Sequence, residues 1–166
     1  MRIKRHYTKP GECPYSSIGF KKVKSELRSL DGIKCSNKIE FSVPENWSQV
    51  ACDILAQKYL RKTGISSNLK AIKETGVPTW LYRHEADYND LKTKNSKMSG
   101  ETDARKIFDR MAGCWAYWGW KGGYFTKEQD ALVFYDEIRY MLATQMAAPN
   151  SPQWFNTGLN HKYDLT

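Results

Sequence analysis

The tripeptide Asn150-Ser151-Pro152 is the one short segment whose residue types and spacing could serve ligand chemistry. Pro152 has no backbone N–H and a fixed φ, so Ser151 before it is predicted to be extended. A hydroxyl held in this way, with the backbone beside it, can hydrogen-bond a sugar or a phosphate. Asn-Ser-Pro is also a common turn, and on the residues alone the turn is the favoured interpretation.

The histidines and a neighbouring carboxylate pair do not indicate a metal centre or an acid–base pair. His6, His84 and His161 are not three or four residues from each other or from a cysteine on one helix, so no metal is predicted. His84, with the acidic residues after it, is predicted to lie in a solvated loop. Asp136 and Glu137 are adjacent on a predicted helix and point in different directions.

Two glycines follow Lys121, but the phosphate-binding patterns G-x-x-x-x-G-K-[ST] and G-x-G-x-x-G are absent. We therefore interpret Gly122-Gly123 as a turn. The surrounding segment 115–125 is rich in aromatic residues, and a helix end packed into a core is favoured over a cofactor-stacking site.

The four cysteines match no zinc pattern and contain no Cys-x-x-Cys pair. They are Cys13, Cys35, Cys52 and Cys114. In a reducing compartment they are predicted to be free thiols. Cys52 and Cys114 lie in helical patterns beside apolar residues and are predicted to be small buried hydrophobes.

Composition favours one cytoplasmic domain with a basic surface. The chain has 166 residues, 40% of them hydrophobic, and a net charge of +8. There is no apolar run of about 20 residues and no apolar signal core after the charged start. A basic balance attracts phosphates, but a solvated edge is favoured over a nucleic-acid site for the basic residues near the start. These are Arg2, Lys4, Arg5, Lys9, Lys21, Lys22 and Lys24.

The first part of the chain is predicted to contain strands and one helix. Residues 1–46 look extended and irregular, with a short strand where apolar residues alternate at 39, 41 and 43 and a possible strand within 15–28. Ser48 is predicted to cap a helix of about 15 residues that ends at Gly64. Its buried face is predicted to contain Ala51, Ile54, Leu55 and Lys58.

Residues 65–100 are predicted to form a polar loop region, with an apolar island at 77–81 and a mobile loop at Lys92–Gly100. A second helix is predicted from about Thr102, and a third from a capping box at Thr126–Gln129 to Pro149. The apolar positions of these helices are Ile107, Met111, Cys114 or Trp115, Trp118, Leu132, Tyr135, Ile138, Leu142 and Met146.

Several runs together resemble class II, vitamin B12-dependent ribonucleotide reductases. They are Trp47–Gln49, Asp53–Tyr59, Phe108–Gly113, Trp118–Phe125 and Met146–Asn156, with Tyr7-Thr8 and Pro14-Tyr15 near the start. The resemblance covers nearly the whole chain in order. Residues 65–100 are least typical of the family, and Lys92–Met98 is interpreted as an insertion.

The resemblance implies a large enzyme that replaces the ribose 2′-OH of a ribonucleotide by hydrogen. Adenosylcobalamin supplies the radical, a cysteine thiyl takes the substrate 3′-hydrogen, and two further cysteines supply electrons from a thioredoxin-like reductant. An Asn and a Glu assist. The resemblance also assigns Ser151 to substrate binding, with Asn150 and Pro152 shaping its backbone. None of the four cysteines falls at a matching catalytic position.

By the same resemblance, the fold is predicted to be mainly α (α+β), with a helical N-terminal domain and a few short strands at 1–148. Residues 149–166 would be the start of a ten-stranded α/β barrel that this sequence lacks. The domain would buttress the barrel and form one wall of the substrate site. The chain is thus expected to be incomplete and inactive alone, with a ribonucleotide and the remainder of the reductase as partners.

Two other hypotheses remain open from the sequence. The charge and the interleaved aromatic residues also permit a small basic nucleic-acid-binding module. A third possibility is a remnant that binds another subunit without performing chemistry.

Overall fold

A computed structural model describes residues 1–28, 34–87 and 98–166, with the side chains of all but 26–28 and 34–37. The Cys35 thiol and most of the predicted loop and insertion beginning at Lys92 lie outside the described residues. The strands are β1 (Phe20–Arg28), β2 (Lys34–Pro44), β3 (Ile65–Ser66), β4 (Leu69–Ala71), β5 (His84–Ala86) and β6 (Met98–Ser99). The helices are α1 (Gln49–Ile54), α2 (Ala104–Lys121), α3 (Glu128–Ala143), α4 (Ser151–Asn156) and α5 (Leu159–Tyr163).

Strands β1 and β2 form an antiparallel hairpin in which Val23 lies opposite Phe41. Phe41 and Val43 are buried because alternate residues of a strand face the same side. The predicted strand at 39–43 is confirmed and is longer than the pattern indicated. The possible strand within 15–28 is confirmed as β1.

Helix α1 is capped as predicted, since Ser48 Oγ accepts from the backbone N–H of Ala51. The predicted length is wrong: α1 continues only as a π-helical turn over Leu55–Tyr59, which ends well before Gly64. The predicted face is confirmed at Leu55, which is buried, and at Ala51, which packs against the core, but it is wrong at Ile54 and Lys58, which are exposed. The buried stripe is instead Cys52, Leu55 and Ala56, which fits helical spacing equally well and packs into the hairpin core.

The prediction of a polar loop over 65–100 is wrong in part. Strand β3 pairs with β6, and β4 pairs with β5, both antiparallel. His84 therefore lies in a strand rather than in a solvated loop. These strands are too short and too polar to show alternation, which is why the pattern missed them. The apolar island is confirmed, since Val77 and Leu81 are buried.

Helices α2 and α3 pack against each other. Helix α2 begins after an Asp103 cap, close to the predicted start, and ends at the predicted turn, where Gly123 has a φ of +69°. The cap of α3 is Lys127 rather than Thr126. Helix α3 ends at Ala143, six residues before the predicted Pro149, because Gln145 adopts a φ of +60° that a helix does not permit.

The predicted helical faces are confirmed at Ile107, Met111, Cys114 and Leu142, which are buried, and wrong at Trp118 and Met146, which are exposed. One large core lies between the hairpin, α1, α2, α3 and α4. Smaller cores surround Leu81 and Ala116, and Ile65, Leu159 and Tyr163. No helix in the described ranges is both long and apolar enough to cross a bilayer.

Candidate functional site

The predicted site residues Asn150, Ser151 and Pro152 lie together on the surface at the start of α4. Asn150 is extended (φ −66°, ψ 161°) and Ser151 is the first helical residue, so the predicted extended conformation of Ser151 is wrong. Proline is well tolerated in the first turn of a helix, where a backbone N–H has no helical partner, and its fixed φ favours the helix. The extended residue is therefore Asn150, one position before the predicted one.

The Ser151 hydroxyl is exposed and lies 2.9 Å from the Tyr59 hydroxyl. The Tyr59 ring stacks on Trp154, with centroids 5.5 Å apart, and meets Phe155 edge-on at 5.1 Å. Trp154 is itself buried in the main core. These two aromatic contacts therefore hold the Tyr59 hydroxyl, which bonds Ser151 at the surface.

One guanidinium supports this edge from inside the domain. Arg110 donates to the carbonyl oxygens of Thr157 at 2.6 Å, Trp154 at 2.8 Å and Tyr59 at 3.4 Å. These carbonyls lie at the C-terminal ends of α4 and of the π-helical turn, where no helical N–H remains to bond them. A positive charge is also favourable at a helix C-terminus. Arg110 thus caps two helix ends and joins the segments carrying Tyr59 and Ser151.

Glu101 balances the charge of Arg110. Its Oε1 accepts from Arg110 Nε at 2.8 Å and from the Tyr163 hydroxyl at 3.1 Å, and its Oε2 accepts from the backbone N–H of Arg61. Both charged side chains are 0% exposed. Such a pair is tolerated in a protein interior only when its remaining polar atoms are bonded, and here each ion has several partners.

Two glycines allow the backbone to close around this ion pair. A Cβ at Gly158, whose φ is +82°, would lie 2.1 Å from the Arg110 carbonyl oxygen. A Cβ at Gly100 would lie 2.4 Å from the carbonyl oxygen of Lys62. Both distances are far below van der Waals contact, so these close approaches require glycine.

The cysteines with described side chains show no sign of nucleophilic activation. Cys52 and Cys114 are buried, as predicted. Burial raises the pKa of both thiols, that of Cys114 to about 11 despite a backbone hydrogen bond and the charge of Arg110. Because the thiolate is the nucleophile, these protonated thiols act as apolar filling. Cys13 is exposed and free.

The first residues of the chain are tied to α3 by carboxylates. Glu137 accepts from the backbone N–H groups of His6, Tyr7 and Thr8 and from the Thr8 hydroxyl. The neighbouring Asp136 instead binds Arg5 at 2.7 Å and Arg139. The two carboxylates point to different partners, as predicted. For Arg5, however, the predicted solvated edge is wrong, since it is largely buried in this ion pair.

The described residues do not fit a corrinoid cofactor. The cavity beside Tyr59 has a volume of about 600 Å³, which is in the range of drug-sized ligands, whereas a corrinoid with its nucleotide loop is larger. The lining is basic and contains no histidine. Nor does the described part of the chain bring three His, Cys, Asp or Glu side chains together as a metal site.

Sequence reasoning proposed Ser151 as a site residue but missed the residues that support it. Tyr59 and Arg110 both lie in runs that resemble the reductase family, yet no local pattern assigns them a role. Glu101 precedes α2 and lies outside every quoted run. Charged residues are usually exposed, and only the tertiary structure shows Arg110 and Glu101 as a buried pair.

Comparisons with known proteins agree with this resemblance. Residues 21–145 match the family model described as class II vitamin B12-dependent ribonucleotide reductase. A vitamin B12-dependent ribonucleotide reductase of Bradyrhizobium diazoefficiens is 51% identical over 99% of this chain, and one of Agrobacterium fabrum is 52% identical over 99%. A Streptomyces coelicolor reductase of the same name is 26% identical over 95% of the chain.

The chain spans only 13% of the length of each of these relatives. The family model nonetheless runs from Lys21 in the hairpin through α1, α2 and α3, and the matches to the first two relatives, over 99% of the chain, also include α4 and thus both segments that Arg110 joins. The chain therefore belongs to the class II vitamin B12-dependent ribonucleotide reductase family, of which it represents the N-terminal region.

Proposed function

We propose that this chain is the N-terminal wall of an adenosylcobalamin-dependent ribonucleotide reductase that makes 2′-deoxyribonucleotides for DNA synthesis in the cytoplasm. The observation that carries the proposal is the exposed Ser151 hydroxyl, held beside Tyr59 on an edge that Arg110 supports from within. A hydroxyl in this position both donates and accepts a hydrogen bond. Its role is to contact the nucleotide substrate, with Asn150 and Pro152 setting the start of α4.

In this proposal the radical chemistry is performed by residues outside this chain. Adenosylcobalamin would supply the radical when bound by the rest of the enzyme, most of whose ten-stranded barrel would follow this segment. A ribonucleoside diphosphate is the proposed substrate, and a thioredoxin-like protein is the proposed reductant. Residues 1–148 would form the domain that buttresses the barrel, and residues 149–166 would be the start of that barrel.

A chimera tests this proposal directly. The N-terminal segment of the Bradyrhizobium diazoefficiens relative that aligns with this chain, with 51% identity over 167 residues, would be replaced by this chain. We expect adenosylcobalamin-dependent formation of deoxynucleotides by the chimera and no turnover by the chain alone. In the Ser151→Ala chimera the KM for the ribonucleotide is expected to rise about tenfold. This is the weakening of binding typical of the loss of one hydrogen bond to a charged group.

Two results would contradict the proposal. One is a folded chimera, with the circular dichroism of the relative, that forms no deoxynucleotide. The other is a Ser151→Ala chimera whose KM and kcat both equal those of the unsubstituted chimera. The matched control is Ser16→Ala, which removes an exposed hydroxyl elsewhere on the chain.

A further inference from the structure

The cavity of about 600 Å³ beside Tyr59 forms an open cleft whose charged lining residues are all basic. We call it the basic cleft; it is lined by Lys58, Arg61 and Lys62, with Thr63, Phe155 and Asn156. None of its lining residues is acidic. Tyr59 also lines the cleft and bonds Ser151, so the cleft adjoins the candidate substrate-binding edge.

The cations of the cleft differ from most arginines of the domain in their partners. Five arginines are neutralised by carboxylates, namely Arg5, Arg83, Arg105, Arg110 and Arg139. Within residues 1–28, 34–87 and 98–166, no carboxylate pairs with Lys58, Arg61 or Lys62. Arg61 Nε donates to the Thr63 carbonyl and Lys62 Nζ to the Gln57 carbonyl. Each side chain retains further N–H donors, so the cleft has a net positive charge.

The backbone that carries these cations is fixed from behind. Glu101 Oε2 accepts the N–H of Arg61 at 3.0 Å, and Arg110 reaches the carbonyl of Tyr59. Gly100 packs directly against the carbonyl oxygens of Arg61 and Lys62. The preceding π-helical turn, a feature frequent at functional sites, ends the helix here and directs the next residues along the cleft. A ligand would thus meet charges on a preorganised backbone, which reduces the entropic cost of binding.

We infer that the basic cleft binds the phosphates of a nucleotide, whose flat base rests against the Phe155 ring. Three cations without carboxylate partners recognise a phosphate by charge-assisted hydrogen bonds, and Phe155 is 42% exposed at the same cleft. This inference deepens the proposed function and rests on it only for the choice of a nucleotide over another phosphorylated molecule. The phosphate site itself follows from the cleft.

Binding of ADP and of pyrophosphate to the 166-residue chain, measured by isothermal titration calorimetry at low and physiological salt, tests this inference. We expect saturable binding of one equivalent of each ligand, with ADP the tighter of the two. The Lys58→Gln/Arg61→Gln double variant should weaken both at least tenfold. Since Arg61 also bonds Thr63, the Lys58→Gln variant alone, at an exposed residue, should weaken both at least threefold without a change in the unfolding midpoint.

The matched control is Lys22→Gln/Lys24→Gln, which removes the same charge from the exposed surface of β1; both affinities should change less than twofold. Equal weakening by control and test variants would overturn the inference, as would binding that does not saturate. Equal affinities for ADP and pyrophosphate would overturn the nucleotide assignment. A single-stranded oligonucleotide that binds the cleft more tightly than ADP would favour a nucleic-acid module instead.

The same measurements separate this inference from the proposed function. If Ser151 has no role, Ser151→Ala leaves the KM of the chimera unchanged while Lys58→Gln still weakens pyrophosphate binding by the chain. If the cleft has no role, the Lys58→Gln chain binds pyrophosphate as the unsubstituted chain does, whatever the chimera shows.

Discussion

Residues 1–8 and residues 150–157 both attach to the central pair of helices α2 and α3, but through groups of opposite charge. The first segment is extended and offers backbone N–H groups, which the Glu137 carboxylate accepts. The second ends a helix and offers unpaired carbonyls, to which the Arg110 guanidinium donates. The backbone group that a segment leaves unsatisfied therefore determines which charge can hold it.

The two attachments also differ in depth. Arg110 and Glu101 are both 0% exposed, whereas Glu137 retains 8% exposure and holds an N-terminal segment that is otherwise largely exposed. An uncompensated charge costs more the further it is from water. The comparison therefore predicts a larger loss of stability at the Arg110 attachment than at the Glu137 attachment.

The largest effect is expected from Arg110→Met. This change removes the partner of buried Glu101 and three donors to backbone carbonyls, and breaking such a pair costs about 3–5 kcal/mol. Urea unfolding followed by tryptophan fluorescence would measure the free energy of unfolding. The control is Arg105→Met, which breaks a pair with Asp103 in which Arg105 is 43% exposed and should cost about 1 kcal/mol or less. Equal losses for the two variants would contradict the role of burial.

A smaller effect is expected from Glu137→Gln. The amide keeps one acceptor oxygen but loses the charge that strengthens the hydrogen bonds from four donors of residues 6–8, at a cost of about 1–3 kcal/mol. Hydrogen exchange should increase at the amides of Tyr7 and Thr8 and stay unchanged at Trp154. Increased exchange at Trp154 to the same extent would show that the two attachments are not independent.

Acid should reproduce part of this loss. Burial raises the pKa of Glu137, but hydrogen bonds from Thr8 and from the backbone of residues 6–8 lower it more, and the net pKa is below the ordinary value of 4.5. The unfolded state thus binds the proton more readily. The stabilising contribution is complete above pH 4.5 and is lost as pH falls through the lower folded-state pKa.

Local signals in the sequence predicted much of the fold. The features that they missed depend on contacts between residues far apart in the sequence. Ser48 as a cap, the alternation at Phe41 and Val43, and burial of Cys52 all depend on residues within one turn or strand. The Arg110–Glu101 pair depends on how α4, α5 and the π-helical turn converge, which no spacing along the chain encodes. At Ser151 two local rules compete, extension before proline and proline in a first helical turn, and the second one prevails.

Another prediction concerns His161, which is buried in α5 and contacts the Tyr117 ring. Its Nε2 lies 3.1 Å from the Leu81 carbonyl, and burial lowers its pKa from 6.5 to about 4 although this hydrogen bond opposes the shift. Between these values the unfolded chain binds a proton that the folded chain does not. Stability should therefore fall as pH decreases from 6.5 towards 4, by roughly 1.4 kcal/mol per pH unit at most.

The His161→Gln variant separates this effect from the carboxylate effect, because glutamine keeps a donor for Leu81 but does not titrate. Urea unfolding at pH 7.0 and pH 5.5 should give a smaller difference in stability for the variant than for the unsubstituted chain. We assign part of the remaining difference to His84, because burial also lowers the pKa of that side chain. An unchanged difference would show that folding does not lower the pKa of His161.

The smallest effect on stability and the most specific effect on function are expected at Tyr59. Tyr59→Phe keeps the stacking on Trp154 and Phe155 and removes only the hydroxyl that bonds Ser151. Because that hydrogen bond is exposed, the free energy of unfolding should change by about 0.5 kcal/mol or less. In the chimera, the same variant should raise the ribonucleotide KM, because Ser151 then loses the partner that orients it. The control is Tyr124→Phe, at a residue 64% exposed in the turn after α2, which should change neither the free energy of unfolding nor the KM. If both variants change the KM equally, the Tyr59 hydroxyl has no specific role in substrate binding.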